Sequence, residues 1–265
     1  MIFRLKRISK HLSFLLRAGI IVFVVFCGLI RSIYGRNGKM KKKIGKMNEA
    51  AWVMGIILCN LGVALDIKAD FGVSMIAAPA VIIQKWLSGF FGWFTNGMSE
   101  YLVQAIILII LCIAVRRFRI KYVLSFGAAV ISGAVLDLWL TILGGNGAWD
   151  ALWVRIVLFA VGAVTTAFAI ALFFRTNLPI QIYELFVVEL ADRYSLNKNK
   201  VKLFFDIIMF ALSCVLSLVL TGGFNGFGIG TVIITFINAP LIAFFGRILD
   251  RFFEFDSVFS KKEKN

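Results

Sequence analysis

The stretch KADFGVS (residues 68–74) decides how this chain is interpreted. It separates two apolar segments, GIILCNLGVALDI (55–67) and MIAAPAVIIQKWL (75–87), and each of them could lie in a membrane. Polar residues between such flanks predict either a plain loop between two spanning helices or a bend that leads into a re-entrant helix. Non-helical backbone at membrane depth is tolerated only where protein or a water-filled cavity satisfies it. The choice between the two therefore bears on function.

The composition is that of a polytopic membrane protein. Of the 265 residues, 60% are hydrophobic and 16% are charged, and the mean hydropathy is +0.91. Soluble domains are closer to about 45–50% apolar and about 25% charged. Several segments contain the roughly 20 apolar residues that a bilayer core requires. We therefore expect an all-α protein whose first partner is the lipid bilayer.

The positive charge is concentrated at the N-terminus. Residues 1–46 carry twelve Lys or Arg and no acid, out of a formal net charge of +15. They also contain the apolar run LSFLLRAGIIVFVVFCGLI (12–30), which is an extra helix, an uncleaved anchor or the product of an upstream start that the cell does not use. No basic run is interleaved with aromatic residues on a soluble module, so nucleic acid is not an expected partner.

The sequence offers few groups for catalysis. Its four cysteines lie in apolar segments without a CxxC pair, and its single histidine, His11, precedes the core. No disulfide framework, metal site or cofactor is expected. No ATP-binding motif is present, and TGGFNGFGIGT (221–231) lacks the GxxxxGK[ST] pattern of a phosphate loop. The chain is not expected to be an enzyme.

An internal repeat relates the two halves of the core. At an offset of 107 residues, VALDIKADFGVSMI (63–76) aligns with IALFFRTNLPIQIY (170–183). Lys68 then matches Arg175, and Asp70 matches Asn177. We predict a basic extension (1–46), a first membrane repeat (47–150), a second membrane repeat (151–255) and a basic cytoplasmic tail (256–265).

Loop charges select the topology. The halves contain apolar segments near 49–67, 73–91, 98–115 and 120–143, and near 154–174, 178–191, 201–220 and 230–249. If all eight span, the basic loop RRFRIK (116–121) lies outside, against the positive-inside rule. If 73–91 and 178–191 instead re-enter, every basic loop is cytoplasmic. Each half then has three spans, so the halves are inverted repeats. Eight full spans with plain loops remain the alternative.

The same stretches resemble a known family. GVALDIKADFGVS (62–74), KVKLFFDIIMFALSCVLSL (200–218) and GFGIGTVIITFINAPLIAFFG (226–246) are similar to the YitT/YczE-type bacterial multi-pass membrane proteins. The resemblance implies an integral protein of the bacterial plasma membrane and names no substrate. The chain departs from that pattern at Ala77, where the family has an acidic residue, whereas Glu184 stands at the matching position of the second half.

Ionisable and polar residues inside membrane segments are candidates for a solute or ion path, because such groups are costly there. The candidates are Glu184, Gln181, Asp206, Asp137 and Asn238. Four of them have a structural alternative: Glu184 could pair with Arg175 and Asp206 with Lys202. Asp137 could cap a helix near the outer surface, and Asn238 could hydrogen-bond across helices.

A second set of residues is assigned to the turns. Lys68 and Arg175 are expected to satisfy carbonyls at helix ends, and Asp70 and Asn177 to cap the following helix, with Gly72 inside the first turn. Lys68 could also pair with Asp70. Glu189 has Arg193 four residues later, which predicts a surface ion pair.

Two functions compete. The first is a small-solute transporter or channel that does not hydrolyse ATP, in the bacterial plasma membrane, with both ends of the core cytoplasmic. The second is a non-transporting scaffold or accessory protein for a biosynthetic or signalling complex. By analogy with other inverted-repeat proteins, a homodimer is a further expectation.

Overall fold

The described part of the chain is entirely helical. The computed structural model describes residues 47–145, 149, 151–176, 178–179, 181–223 and 228–252. They form eight helices: α1 (Met47–Ala69), α2 (Ala78–Leu87), α3 (Asn96–Val115), α4 (Ile120–Ile142), α5 (Leu152–Phe173), α6 (Ile182–Arg193), α7 (Lys198–Thr221) and α8 (Ile229–Phe252). The predicted extension (1–46), the tail (256–265) and Asn177 lie outside the described residues.

Six of these helices are long and apolar enough to cross a membrane: α1, α3, α4, α5, α7 and α8. The other two are short, since α2 has 10 residues and α6 has 12. At 1.5 Å per residue they measure about 15 and 18 Å. A straight helix of that length cannot cross a hydrocarbon core of about 30 Å. Apolar side chains such as Ile113 and Phe236 are 70% and 75% exposed, as lipid-facing residues are.

Helices α1 and α5 form the most extensive contact in the bundle. They cross at Gly62 and Gly162, where a Cβ added to Gly162 would lie 2.9 Å from the Gly62 carbonyl oxygen. Small residues at a crossing let two backbones approach closely. This glycine pair sets the separation of the first helices of the two halves.

The KADFGVS stretch forms a turn, as predicted. Helix α1 ends at Ala69, and the chain then passes through positive φ angles at Asp70 (51°) and Gly72 (106°). The Gly230 N–H donates a 2.9 Å hydrogen bond to the Phe71 carbonyl oxygen. The turn therefore packs on the start of α8, so two stretches more than 150 residues apart in sequence meet in the fold.

Two expectations about this turn are wrong. Lys68 does not pair with Asp70, because its Nζ donates to the Gly145 carbonyl oxygen at 2.9 Å. Asp70 does not cap α2, which begins at Ala78 without a side-chain cap bond. Its carboxylate instead contacts Arg155 Nη2 at 3.4 Å and Lys85 Nζ at 3.5 Å. The turn is thus held by cations from other helices.

Candidate functional site

A buried hydrogen-bond network surrounds the start of the short helix α6. The Ser132 hydroxyl on α4 accepts from Asn60 Nδ2 at 2.7 Å and from Gln181 Nε2 at 2.6 Å. All three side chains are buried. One serine therefore links α1, α4 and the residue that precedes α6.

A side chain from α3 completes the N-terminus of α6. The Ile182 N–H, which has no partner within its own helix, donates to Gln104 Oε1 at 3.1 Å. The other end of that amide, Nε2, donates to Glu100 Oε1 at 3.3 Å. The network therefore extends from α6 to a buried carboxylate on α3.

Glu184 lies in the first turn of α6 and is 4% exposed. Its Oε2 atom has no hydrogen-bond partner within the described residues. The alternative pairing with Arg175 does not occur, because Arg175 Nε and Nη2 both donate to Asp250 at 2.6 Å. Lys202 and Asp206 lie near enough for their charges to act on Glu184. An incompletely partnered buried carboxylate is costly, which is why such groups mark functional sites in membrane proteins.

Three buried carboxylates, Asp66, Glu100 and Glu184, come from three different helices, α1, α3 and α6. Within the described residues, no group of three His, Cys, Asp or Glu is arranged to hold a metal ion.

The other candidates for the path each have contacts of their own. Asp206 accepts a 2.7 Å bond from Lys202, as its structural alternative predicted. Asp137 Oδ1 accepts from the Gly97 N–H at 2.8 Å and so caps the start of α3. Asn238 lines an apolar groove between α5 and α8, away from the network.

Glu189 is not part of a surface pair with Arg193, contrary to expectation. Its carboxylate is buried, accepts a 2.8 Å bond from the Tyr122 hydroxyl and contacts Lys121 and Arg119. Helix α6 turns this side chain toward α4, away from its i+4 neighbour. Glu189 therefore ties the end of α6 to the start of α4.

Several residues of the network escaped the sequence reasoning. Asn60, Glu100, Gln104 and Ser132 were not assigned to the path, although each is a polar residue within a predicted apolar segment. Glu100 and Gln104 stand four residues apart on one face of α3, a spacing that could have identified them.

A cavity of about 200 Å³ lies next to the KADFGVS turn. It is lined by the end of α1, the turn itself, α2 and the start of α3. Its polar lining residues are Asp66, Asp70, Gln84, Lys85, Ser88 and Asn96. Glu184 does not line it.

Comparison with known families gives one assignment. Residues 47–247 match the model of DUF6198, described as a family of unknown function. The chain belongs to this family. The match spans all the described helices except the last residues of α8, so the network and the cavity both lie inside the matched region.

The chain is also similar to an uncharacterised bacterial protein. The "Uncharacterized protein YyaS" of Bacillus subtilis (strain 168) is 28% identical over 203 residues, which cover 76% of this chain and 92% of that protein. No solved structure matches the chain. The family identified is DUF6198, and no YitT/YczE-type family is identified.

Proposed function

We propose that this DUF6198 protein is a small-solute transporter or channel that works without ATP hydrolysis and without enzymatic chemistry. The observation that carries the proposal is Glu184. It is a buried carboxylate with an unpartnered oxygen, in the first turn of a helix too short to span. Broken or short helices that present polar groups at mid-membrane depth are typical of transporter binding sites.

An inverted-repeat architecture is part of this proposal. If the first four helices are exchanged with the last four, the contact of α1 with α4 corresponds to that of α5 with α8, and the contact of α2 with α3 to that of α6 with α7. The contact of α2 with α7 corresponds in the same way to that of α6 with α3. These contacts are all present, whereas the extensive contact of α3 with α4 has no α7–α8 counterpart of similar extent among the described residues. Lys68 at the end of α1 reaches Gly145 just after α4, and Arg175 just after α5 reaches Asp250 near the end of α8. These parallels support a duplication with α2 and α6 as re-entrant helices.

The proposed orientation follows from the basic residues. With α2 and α6 re-entrant, the loop 116–119 and the loop 194–197 lie on the same side as the C-terminal end of α8. The wider segments 116–121 and 192–202, together with the end of α8, hold ten of the fourteen Lys and Arg between residues 47 and 255. This concentration supports a cytoplasmic location of that side in a bacterial plasma membrane. A homodimer is retained as part of the proposal.

The test is transport by the purified full chain in liposomes, measured as currents on a solid-supported membrane. The probes are jumps in H⁺, Na⁺ and K⁺ and a panel of small amines, amino acids and carboxylates. We expect one class of probe to give a current that Glu184→Gln abolishes and that Arg193→Gln retains. Normal currents in Glu184→Gln would remove Glu184 from the mechanism.

A scaffold remains the second candidate. The observation that favours it is that the cavity beside the turn does not reach Glu184, which is packed in the interior. Absence of current for every probe with the wild-type chain would favour the scaffold over transport.

A further inference from the structure

The cavity beside the KADFGVS turn has an unusual charge balance. Its lining includes Asp66, whose side chain is 1% exposed. The Oδ1 atom of Asp66 is buried against Gly162 on α5 and has no hydrogen-bond partner in the described part of the chain. Nothing that the structure describes compensates this carboxylate.

The basic residues around the cavity are engaged elsewhere. Lys68 Nζ donates to the Gly145 carbonyl oxygen. Arg155 Nε donates to the Ala69 carbonyl oxygen at 2.7 Å, and its Nη2 contacts Asp70. Lys85 contacts Asp70 as well. Three cations therefore surround the turn without pairing with Asp66. A buried and unpaired carboxylate is costly unless a ligand or a proton neutralises it.

We propose that this cavity binds a small organic cation, with Asp66 as the carboxylate that pairs with its ammonium group. The volume of about 200 Å³ would hold roughly six water molecules at about 30 Å³ each. A single inorganic ion would leave most of that space unfilled. Val73, Val81 and Ile67 form an apolar part of the wall, which suits the carbon atoms of an alkylammonium ion.

The inference deepens the proposed function, on which its transport meaning rests. In the proposed orientation the turn faces the outside, and the cavity is an entry site for solute. The substrate class would then be a small amine-bearing cation. Binding at Asp66 can be measured independently of transport, so the two ideas can fail separately.

The experiment is protection of a cysteine at the cavity lining. Ser88→Cys is introduced into the full chain after the four native cysteines have been replaced, and the protein is purified in nanodiscs. The probe is butylammonium chloride, and labelling uses the neutral reagent N-ethylmaleimide. We expect saturating butylammonium to slow labelling at least fivefold, whereas equal concentrations of sodium chloride and sodium butyrate leave the rate unchanged.

Two further variants test which charged side chain at the cavity binds the ammonium group. Asp66→Asn in the same background should lose the protection, and Lys85→Gln should show protection at lower butylammonium concentrations, because a competing positive charge is removed. Lys85 is 39% exposed in its side chain, so its replacement is expected to leave the fold intact. Equal protection in Asp66→Asn would overturn the proposal, and so would its loss in Lys85→Gln.

If Asp66→Asn fails to fold, the labelling experiment on the Ser88→Cys protein alone still decides the proposal. An unchanged labelling rate with butylammonium, or equal protection by sodium chloride, would overturn the organic-cation proposal. Protection without a butylammonium current in liposomes would uphold the binding site and contradict transport of this cation. Currents for another solute without protection would uphold transport and reject this site.

Discussion

At the residue scale, the two glutamates of α6 show how the environment assigns a role. Glu189 is surrounded by the Tyr122 hydroxyl, Lys121 and Arg119, so its charge is satisfied. Glu184, five residues earlier, is equally buried but leaves one oxygen without a partner. A satisfied buried carboxylate holds helices together, whereas an unsatisfied one is available to a proton, an ion or a solute.

The Glu189 contacts predict the effect of Tyr122→Phe. Removing the hydroxyl deletes a charge-assisted bond to a buried carboxylate, which should lower the free energy of unfolding by about 1.5–3 kcal/mol. Arg193→Gln is the matched control and should change it by less than about 0.5 kcal/mol. Denaturation of both variants in the same detergent checks this. If Arg193→Gln lowered the free energy of unfolding more than Tyr122→Phe does, the ion pair of Glu189 with Arg193 predicted from the sequence would be supported instead.

Ser132 is the second test at this scale. Ser132→Ala removes the oxygen that accepts from both Asn60 and Gln181, and leaves two buried donors without that acceptor. The expected loss of stability is about 1–3 kcal/mol. Thr165→Ala is the control, because the Thr165 hydroxyl bonds only within its own helix, to Val161. Equal thermal midpoints for the two variants would mean that this network does not tie the helices together.

At the scale of elements, the fold depends on glycines at two places where backbones meet. Gly62 and Gly162 let α1 and α5 cross closely, and Gly72 lets the first turn pack on the start of α8. A Cβ at Gly72 would lie 2.8 Å from the Gly228 nitrogen and would also clash with Thr231. These glycines set how closely two helices, or a turn and a helix, approach each other. Their neighbours in sequence do not indicate which distant element they contact.

Gly72→Ala should therefore destabilise the protein strongly. The φ angle of 106° alone costs a residue with a Cβ about 1–3 kcal/mol, and the contact with α8 adds to that. Gly127→Ala is the matched control, since an added Cβ there meets no atom within 4 Å and alanine favours a helix. We expect a lower thermal midpoint for Gly72→Ala and an unchanged or higher one for Gly127→Ala. Equal midpoints would show that the turn can move away from α8.

At the scale of the whole molecule, the decisive question is how many helices cross the bilayer. Single cysteines at Trp93, Arg119, Trp149 and Lys198, in a background without the native cysteines, answer it. We expect labelling from outside at 93 and 149, and labelling only from inside at 119 and 198. The reason is that the two short helices are shorter than the hydrocarbon core, so the proposed architecture has three crossings in each half. Labelling at 119 from outside would mean eight spans and parallel halves, and would overturn the proposed architecture.

The helical segments were predictable because hydropathy is a local property. All eight segments expected between 47 and 255 correspond to helices within the described residues. The largest difference in helix bounds is at α2, which was expected over 73–91 and is observed over 78–87. The helix starts later because the turn occupies residues 70–77 and Pro79 lies at the helix start. The sequence also identified Gln181 and Glu184 as unusual polar residues in a short segment.

The amino-acid sequence by itself determined that this is an all-helical membrane protein, since composition and the length of apolar runs are enough to decide that. It also located the KADFGVS turn, because glycine and charged residues interrupt helices wherever they occur between apolar runs. Only the tertiary structure decided the partners: Glu189 with Tyr122, Arg175 with Asp250, Lys68 with Gly145, and Asp66 with none that the structure describes. The physical reason is that a buried charge is satisfied by whichever helix packs against it, and helix packing depends on close approach of residues distant in sequence.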